Sequence, residues 1–517
     1  MQAKLFNALC VNVLYFTGWL CTATVCPLCV CCFVKSEMFY NFVRFWHDIM
    51  SLFSFYRISK PSAETVAEEK VGSTYKKLRN QTFWGITIAY SLFYLCRLSM
   101  GVVKKPLIDE GLFTPTTIGV VTSAFYFVYA VGKFLNGFIA DYCNVRRYMS
   151  TGLFISSIIN LLMGAVGFIH GYASFPPYLV YVIFVLLWGI NGWVLSMGSP
   201  SGIVSLSRWF PQSRRGTFYS IFCSTPYIGE ALSMALTGSI VAAFGWEYGF
   251  IASAIGGFIG VVIIQFFVSD TPQSKGLPSI QEISGEEIKA VDKKPTKEIQ
   301  KYVLKHPAIW IIAISCAFIN LTKYGLMEWG VLYLQSVKDT AGDPKFTLEI
   351  ASWIIGFSAF FAIAGTVGAG WLSDTVFKGN RVKPALIAGF ISLISLALFL
   401  LVDGDKVVMA VFVSIFSLAV GVLYCIVSGL MAIDIVPRKA TGAALGIVGI
   451  SSYMTIGIQN IVSGLLLDRF ATHTEVVVDG VTKVVADYNF VPVAIFWLSA
   501  VLISFVLPVL SWKKLRV

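Results

Sequence analysis

Apolar runs of about twenty residues recur from residue 82 to residue 510, separated by short charged or turn-forming stretches. A helix of that length can cross the roughly 30 Å of hydrocarbon in a bilayer. The pattern predicts spans at 82–103, 117–140, 148–169, 179–201, 216–241, 249–268, 308–335, 348–372, 384–402, 407–433, 441–466 and 490–510, twelve in all. Ahead of them lie an uncharged apolar segment, Leu5–Val34, an aromatic-rich stretch, Met38–Tyr56, suited to the membrane interface, and a basic lead-in, Arg57–Arg79. Leu5–Val34 is long enough to span, and its residues alone do not separate an extra helix from a signal segment or an unused upstream start.

The longest break, residues 269–307, carries charges, Gly, Pro and Ser and reads as a linker between two halves. The halves echo each other. Gly137-Phe-Ile-Ala-Asp141 precedes Arg146 and Arg147 after the second span, and Gly370-Trp-Leu-Ser-Asp374 precedes Lys378 and Arg381 after the eighth. The offset between the two aspartates, 233 residues, is close to the 226 between Arg97 and Lys323, as duplication of a six-helix unit requires. The expected fold is an all-α polytopic membrane protein of two pseudo-symmetric six-helix bundles, with room for an extra N-terminal hydrophobic helix. Its domains are an extension and lead-in (1–80), bundles at 81–268 and 308–512, the linker 269–307, and a short tail (513–517).

Composition agrees: 56% of the 517 residues are hydrophobic, 13% are charged, and the mean hydropathy is +0.75. The net charge of +11 does not point to nucleic acid, because the basic residues fall between the apolar runs. Alternate loops hold twenty-six Lys and Arg against seven in the others, Lys104 and Lys105 being counted among the seven. That imbalance places the linker and both ends of the twelve-helix unit in the cytoplasm. The cysteines are expected to be reduced thiols; Cys26, Cys29, Cys31 and Cys32 are close in sequence but have no His or acidic partner, so no metal is expected. No cofactor motif and no nucleophile paired with a base appears, so enzymatic chemistry is not expected.

Three cations remain inside the predicted spans: Arg97, Lys133 and Lys323. A charge within hydrocarbon costs at least ~3 kcal/mol on insertion scales and marks a functional site by default. By the internal repeat, Arg97 and Lys323 take corresponding positions in the two halves, where such helices face a central cavity. A phosphate group bridging them is the expected guest, with Lys133 adding a third charge. The competing explanation pairs these cations with Glu230 and Glu328. Two acids do not neutralise three bases, although Glu230 is an available partner for Lys133. Tyr94, Tyr129 and Tyr324, with Tyr126, Trp329 and Gln459, are candidates to line a sugar-sized cavity. Asn191, Gly192, Gly198, Pro200 and Gly202 in the fourth span are expected to serve close packing.

Several stretches resemble the organophosphate:phosphate antiporters of the major facilitator superfamily. They are Asp270-Thr-Pro-Gln-Ser-Lys-Gly-Leu-Pro278, Tyr94-Leu-Cys-Arg97, Lys323-Tyr-Gly-Leu-Met-Glu-Trp329, Gly370–Arg381 and Val436-Pro-Arg-Lys-Ala-Thr-Gly442. The resemblance runs from about residue 80 to the C-terminus and implies the major facilitator fold. It also implies a secondary transporter that exchanges a sugar phosphate, hexose-6-phosphate before glycerol-3-phosphate, for inorganic phosphate, as a monomer in a bacterial inner membrane. Arg97 and Lys133 match the family's phosphate-binding arginine and second-span lysine. Lys323 stands where the bacterial antiporters have a second arginine, and in this it is similar to animal endoplasmic-reticulum glucose-6-phosphate carriers. Pro226 stands where the glycerol-phosphate antiporter has a cavity histidine. The same family includes a transporter-like sensor of external sugar phosphate, and a facilitator for another organic anion would share the cationic cavity.

Overall fold

A computed structural model describes residues 54–515 apart from 174–175, 285–306, 340–342, 379, 432–440 and 479–480. Leu5–Val34 with its cysteine cluster, the centre of the linker and Arg438/Lys439 lie outside the described residues. Among the described residues, twelve helices are long and apolar enough to cross a membrane. They are α1 (Glu68–Asp109), α2 (Pro115–Tyr142), α3 (Val145–Ala173), α4 (Pro177–Trp209), α5 (Gln212–Phe244) and α6 (Trp246–Phe267) in the first half. The second half holds α7 (Pro307–Ser336), α8 (Leu348–Trp371), α9 (Val382–Leu401), α10 (Lys406–Tyr424), α11 (Thr441–Arg469) and α12 (Val491–Leu515).

The two halves repeat a close helix contact. A Cβ on Gly192 of α4 would strike the Phe125 carbonyl of α2, and one on Gly421 of α10 would strike the Ala362 carbonyl of α8. Only glycine lets these backbones approach so far, which is how helices gain packing energy where lipid removes the hydrophobic drive. The halves meet along α2 with α11 and α5 with α8, and α1 and α7 run between them with most residues buried.

Several boundaries differ from the hydropathy reading, and α1 already begins at Glu68, inside the stretch read as a basic lead-in. α1 runs on to Asp109, so Lys104, assigned to a loop, is buried inside it. α4 is interrupted at Ser196–Met197 and continues to Trp209. α8 and α10 end in π-helical turns, Leu372–Val376 and Cys425–Met431. A two-stranded antiparallel hairpin, β1 (Thr472–Val478) and β2 (Val481–Asp487), joins α11 to α12. The membrane end bearing this β1–β2 unit is called the hairpin end below.

At the opposite end, Asp270 of the Asp270–Pro278 segment gathers the first half. Its carboxylate accepts from the Ser59 amide (2.8 Å), the Val145 amide (3.0 Å) and the Arg208 guanidinium (2.5 Å). Arg208 also donates to the carbonyls of Cys143 and Asp141, both at 3.0 Å. The lead-in is held to the same segment by Ser62 N to Gln273 O and Val66 N to Gly276 O, each 2.9 Å. Gly276 has φ +73°, a left-handed turn without Cβ strain in glycine.

Candidate functional site

The stripe Phe125, Tyr126, Tyr129 and Lys133 lies on one face of α2 by its three- and four-residue spacing, and it turns toward Arg97 of α1. The Arg97 guanidinium carbon sits 4.6 Å from the ring centre of Tyr129, 5.1 Å from Tyr94, 5.5 Å from Tyr324 and 5.6 Å from Tyr453. Phe125 and Tyr126 close the cage at 5.8 and 5.7 Å. Ring faces solvate a guanidinium partly, each by about 0.5–2 kcal/mol, but they do not neutralise it. Among the described residues no carboxylate lies within 4 Å of Arg97. Nη2 donates to the Tyr324 hydroxyl at 3.4 Å, while the buried Nε has no hydrogen-bond partner.

Lys133 is likewise without a carboxylate among the described residues. Its ammonium donates to the Tyr453 hydroxyl of α11 at 3.2 Å and lies 4.7 Å from that ring. Tyr453 therefore touches both uncompensated cations across the junction of the halves.

Lys323 differs. Its ammonium donates to Glu230 Oε1 at 2.9 Å and rests 4.4 Å from the Tyr227 ring. The expected Glu230–Lys133 alternative is thereby corrected: α5 directs Glu230 toward α7, not toward α2. Glu328, five residues beyond Lys323, projects to another side of α7 and meets Lys104 at 3.2 Å. Tyr126 donates to Glu328 Oε1 at 2.7 Å, and Lys104 also donates to Asn460 Oδ1 at 3.3 Å while lying 4.0 Å over Trp329. Among the described residues Lys104 thus joins Arg97, Lys133 and Lys323 as a cation held inside the helix bundle. The two acids take Lys323 and Lys104, leaving Arg97 and Lys133.

All six residues singled out from the sequence, Arg97, Lys323, Lys133, Tyr94, Tyr129 and Tyr324, gather around this cage. Trp329 and Gln459 do not: Trp329 packs on Lys104, and Gln459 is bonded to Ser463 at 2.9 Å behind Gly325. Asn191, expected to serve only packing, donates to the Cys96 carbonyl at 3.0 Å, and Asn160 donates to the same oxygen at 3.3 Å. These two amides fix the backbone one residue before Arg97 and so aim its side chain. Tyr453 has no counterpart in the reading from sequence, since nothing local distinguishes it from the other twenty-one tyrosines.

The hairpin end is closed. Asp468 of α11 accepts from Thr114 Oγ1 (3.0 Å) and the Thr116 amide (2.8 Å) at the head of α2. Ser239 of α5 donates to Glu349 at 3.3 Å and accepts from Trp353 Nε1 at 3.2 Å, both on α8.

Comparison with known proteins agrees with this architecture. The profile of the Major Facilitator Superfamily matches residues 86–456. The chain is 33% identical over 422 residues to the glycerol-3-phosphate transporter of Bacillus subtilis, covering 79% of this chain and 91% of that protein. It is 32% identical over 329 residues to the "Probable hexose phosphate transport protein" of Chlamydia trachomatis, covering 60% and 68%. It is 27% identical over 393 residues to the membrane sensor protein UhpC of Escherichia coli, covering 74% and 85%. Among solved structures, a bacterial homologue of the lysosomal transporter Spinster superposes with a TM-score of 0.66 at 15% identity, covering 85% of this chain and 98% of that one. The nucleoside transporter NupG gives 0.61 at 16% identity, covering 85% and 99%. At such identity these two speak for the fold alone.

Proposed function

This chain belongs to the organophosphate:phosphate antiporter family of the Major Facilitator Superfamily, and from that premise we propose that it exchanges a sugar phosphate, hexose-6-phosphate by preference, for inorganic phosphate. The observation that carries the reading is Arg97, buried inside six aromatic rings with no carboxylate within 4 Å among the described residues and with Nε unbonded. A buried guanidinium in that state costs several kcal/mol unless an anion visits it.

Phosphate would be received by Arg97 and Lys133, with the Tyr453 hydroxyl beside both, and Lys323 would stand near the Tyr324 ring. Arg97 and Lys133 both lie within 6 Å of the Tyr453 ring centre. At an effective dielectric of about 20, charges within ~10 Å repel by roughly 2 kcal/mol or more. Bound phosphate relieves that repulsion in each state it occupies, so the loaded carrier reorients more readily than the empty one. Alternating access with exchange follows. On the same reading the basic end faces the cytoplasm, the hairpin end faces outward, and the membrane is a bacterial inner membrane.

The test is uptake of labelled glucose-6-phosphate into proteoliposomes. Vesicles loaded with phosphate should accumulate it and empty vesicles should not; equal uptake in both refutes obligate exchange. Saturable binding with no flux in either would favour a sensor, the role named for the relative UhpC.

A further inference from the structure

The site is electrically lopsided. Arg97, uncompensated, lies 5.5 Å from the Tyr324 ring centre, and Lys323, neutralised by Glu230, lies 5.1 Å from it. A phosphate ester has the same asymmetry, with charge at one end and neutral hydroxyls at the other. Inorganic phosphate has no use for the second half of such a site, because a carboxylate repels an oxyanion.

The second half is also unfinished. Glu230 is fully buried, and while Oε1 receives Lys323, Oε2 has no hydrogen-bond partner. A buried carboxylate oxygen left in that state is costly, and it calls for an O–H or N–H donor. Lys323, which holds Glu230, keeps 15% of its side-chain surface open. Tyr227, one turn before Glu230 on α5, lays its ring 4.4 Å from the Lys323 ammonium and offers a flat wall there. The position of Glu230 is fixed by its neighbour: a Cβ on Gly229 would meet the Ser91 carbonyl at 2.5 Å and Tyr94 Cβ at 2.7 Å, so α5 is pressed against the turn of α1 that carries Arg97.

We propose that Glu230, held by Lys323, is a specificity-determining residue that accepts a hydroxyl of the organophosphate's sugar or polyol through its unbonded carboxylate oxygen. This rests on the phosphate-exchange reading above. Arg97 and Lys133 take the phosphate, the Tyr324 ring borders both Arg97 and Lys323, and the Glu230–Lys323 pair reads what the phosphate is attached to. A site built to bond a hydroxyl discriminates strongly against an analogue that lacks it, because the buried acceptor is then left unpaired.

The experiment is a substrate-by-variant cycle on the full chain in phosphate-loaded proteoliposomes. Labelled phosphate exchange is inhibited by glucose-6-phosphate and by each of its monodeoxy analogues. In the wild type at least one deoxy analogue should need a tenfold or higher concentration. In Glu230→Gln that gap should shrink to about threefold or less, whatever the overall rate. The wild-type series stands even if the variant does not fold, and a flat series, with every hydroxyl dispensable within threefold, overturns the proposal. Full discrimination kept by Glu230→Gln also overturns it and leaves the ion pair a brace between α5 and α7. If the wild type exchanges no phosphate at all, the reading of function falls first; if exchange is intact and the series is flat, only the Glu230 assignment falls.

Discussion

Lys104→Met tests how the hairpin end is kept shut. In the closed state Lys104 faces Glu328 at 3.2 Å with neither side chain exposed, so at an effective dielectric of about 20 their attraction is roughly 5 kcal/mol. Removing the lysine leaves Glu328 buried with the Tyr126 hydroxyl as its remaining donor, and stranding one member of a buried pair costs about 3–5 kcal/mol. Opening that end hydrates the stranded carboxylate and removes the penalty. The equilibrium between closed and open should therefore shift toward open by that amount, on the order of a hundredfold to a few thousandfold. Ser352, fully buried where α8 meets Gly238 of α5, is a suitable reporter as Ser352→Cys. Its labelling by a bulky maleimide should accelerate by two orders of magnitude or more in Lys104→Met. Lys104→Met/Glu328→Gln, which carries no stranded charge, should return most of the way to the parent rate. An unchanged rate in Lys104→Met, or an equal acceleration in both variants, refutes the assignment of this pair as the latch.

Three further outcomes follow from the packing. Gly421→Ala places a methyl against the Ala362 carbonyl and should lower stability by about 1–3 kcal/mol, read as a fall in the detergent melting temperature, whereas Gly449→Ala, which meets nothing within 4 Å, should be near neutral. Asp270→Asn removes the charge that holds Arg208 and weakens two amide bonds. It should destabilise by about 2–4 kcal/mol, seen as earlier proteolysis of the segment around residues 54–66. Cys143, buried between α2 and α3, has its thiol pushed up to about 12 by burial. A raised value means little thiolate at neutral pH, so alkylation at pH 7.5 followed by peptide mass mapping should leave Cys143 unmodified in the folded protein and modified once it is denatured.

The fold was legible because each span carries its own evidence: twenty apolar residues in a row need no tertiary partner to be recognised. Arg97 and Lys133 were legible for the same reason, since a charge inside such a run announces itself. Lys104 was not. It lies at the end of a run, where a lysine reads as the start of a loop, and its burial depends on Glu328, which folding brings up from the other half of the chain. The choice between Lys133 and Lys323 as the partner of Glu230 is likewise made by the rotation of α5 against α7, which hydropathy does not encode. Tyr453 is a site residue only because α11 crosses α2 at that height. The hairpin had a local signal, Asp479-Gly480 between runs of valine, but it was short enough to pass as a connection between spans.

The central claim is that two cations in the first half are kept without acids so that phosphate can supply the negative charge. Equilibrium phosphate binding to the purified protein, measured calorimetrically for the wild type, Arg97→Gln and Lys133→Gln, tests it most directly. A guanidinium bonded to a phosphate oxygen at low dielectric is worth about 3 kcal/mol, so Arg97→Gln should weaken binding by about a hundredfold or more and Lys133→Gln by at least tenfold. Phosphate binding of unchanged affinity in both variants would contradict it.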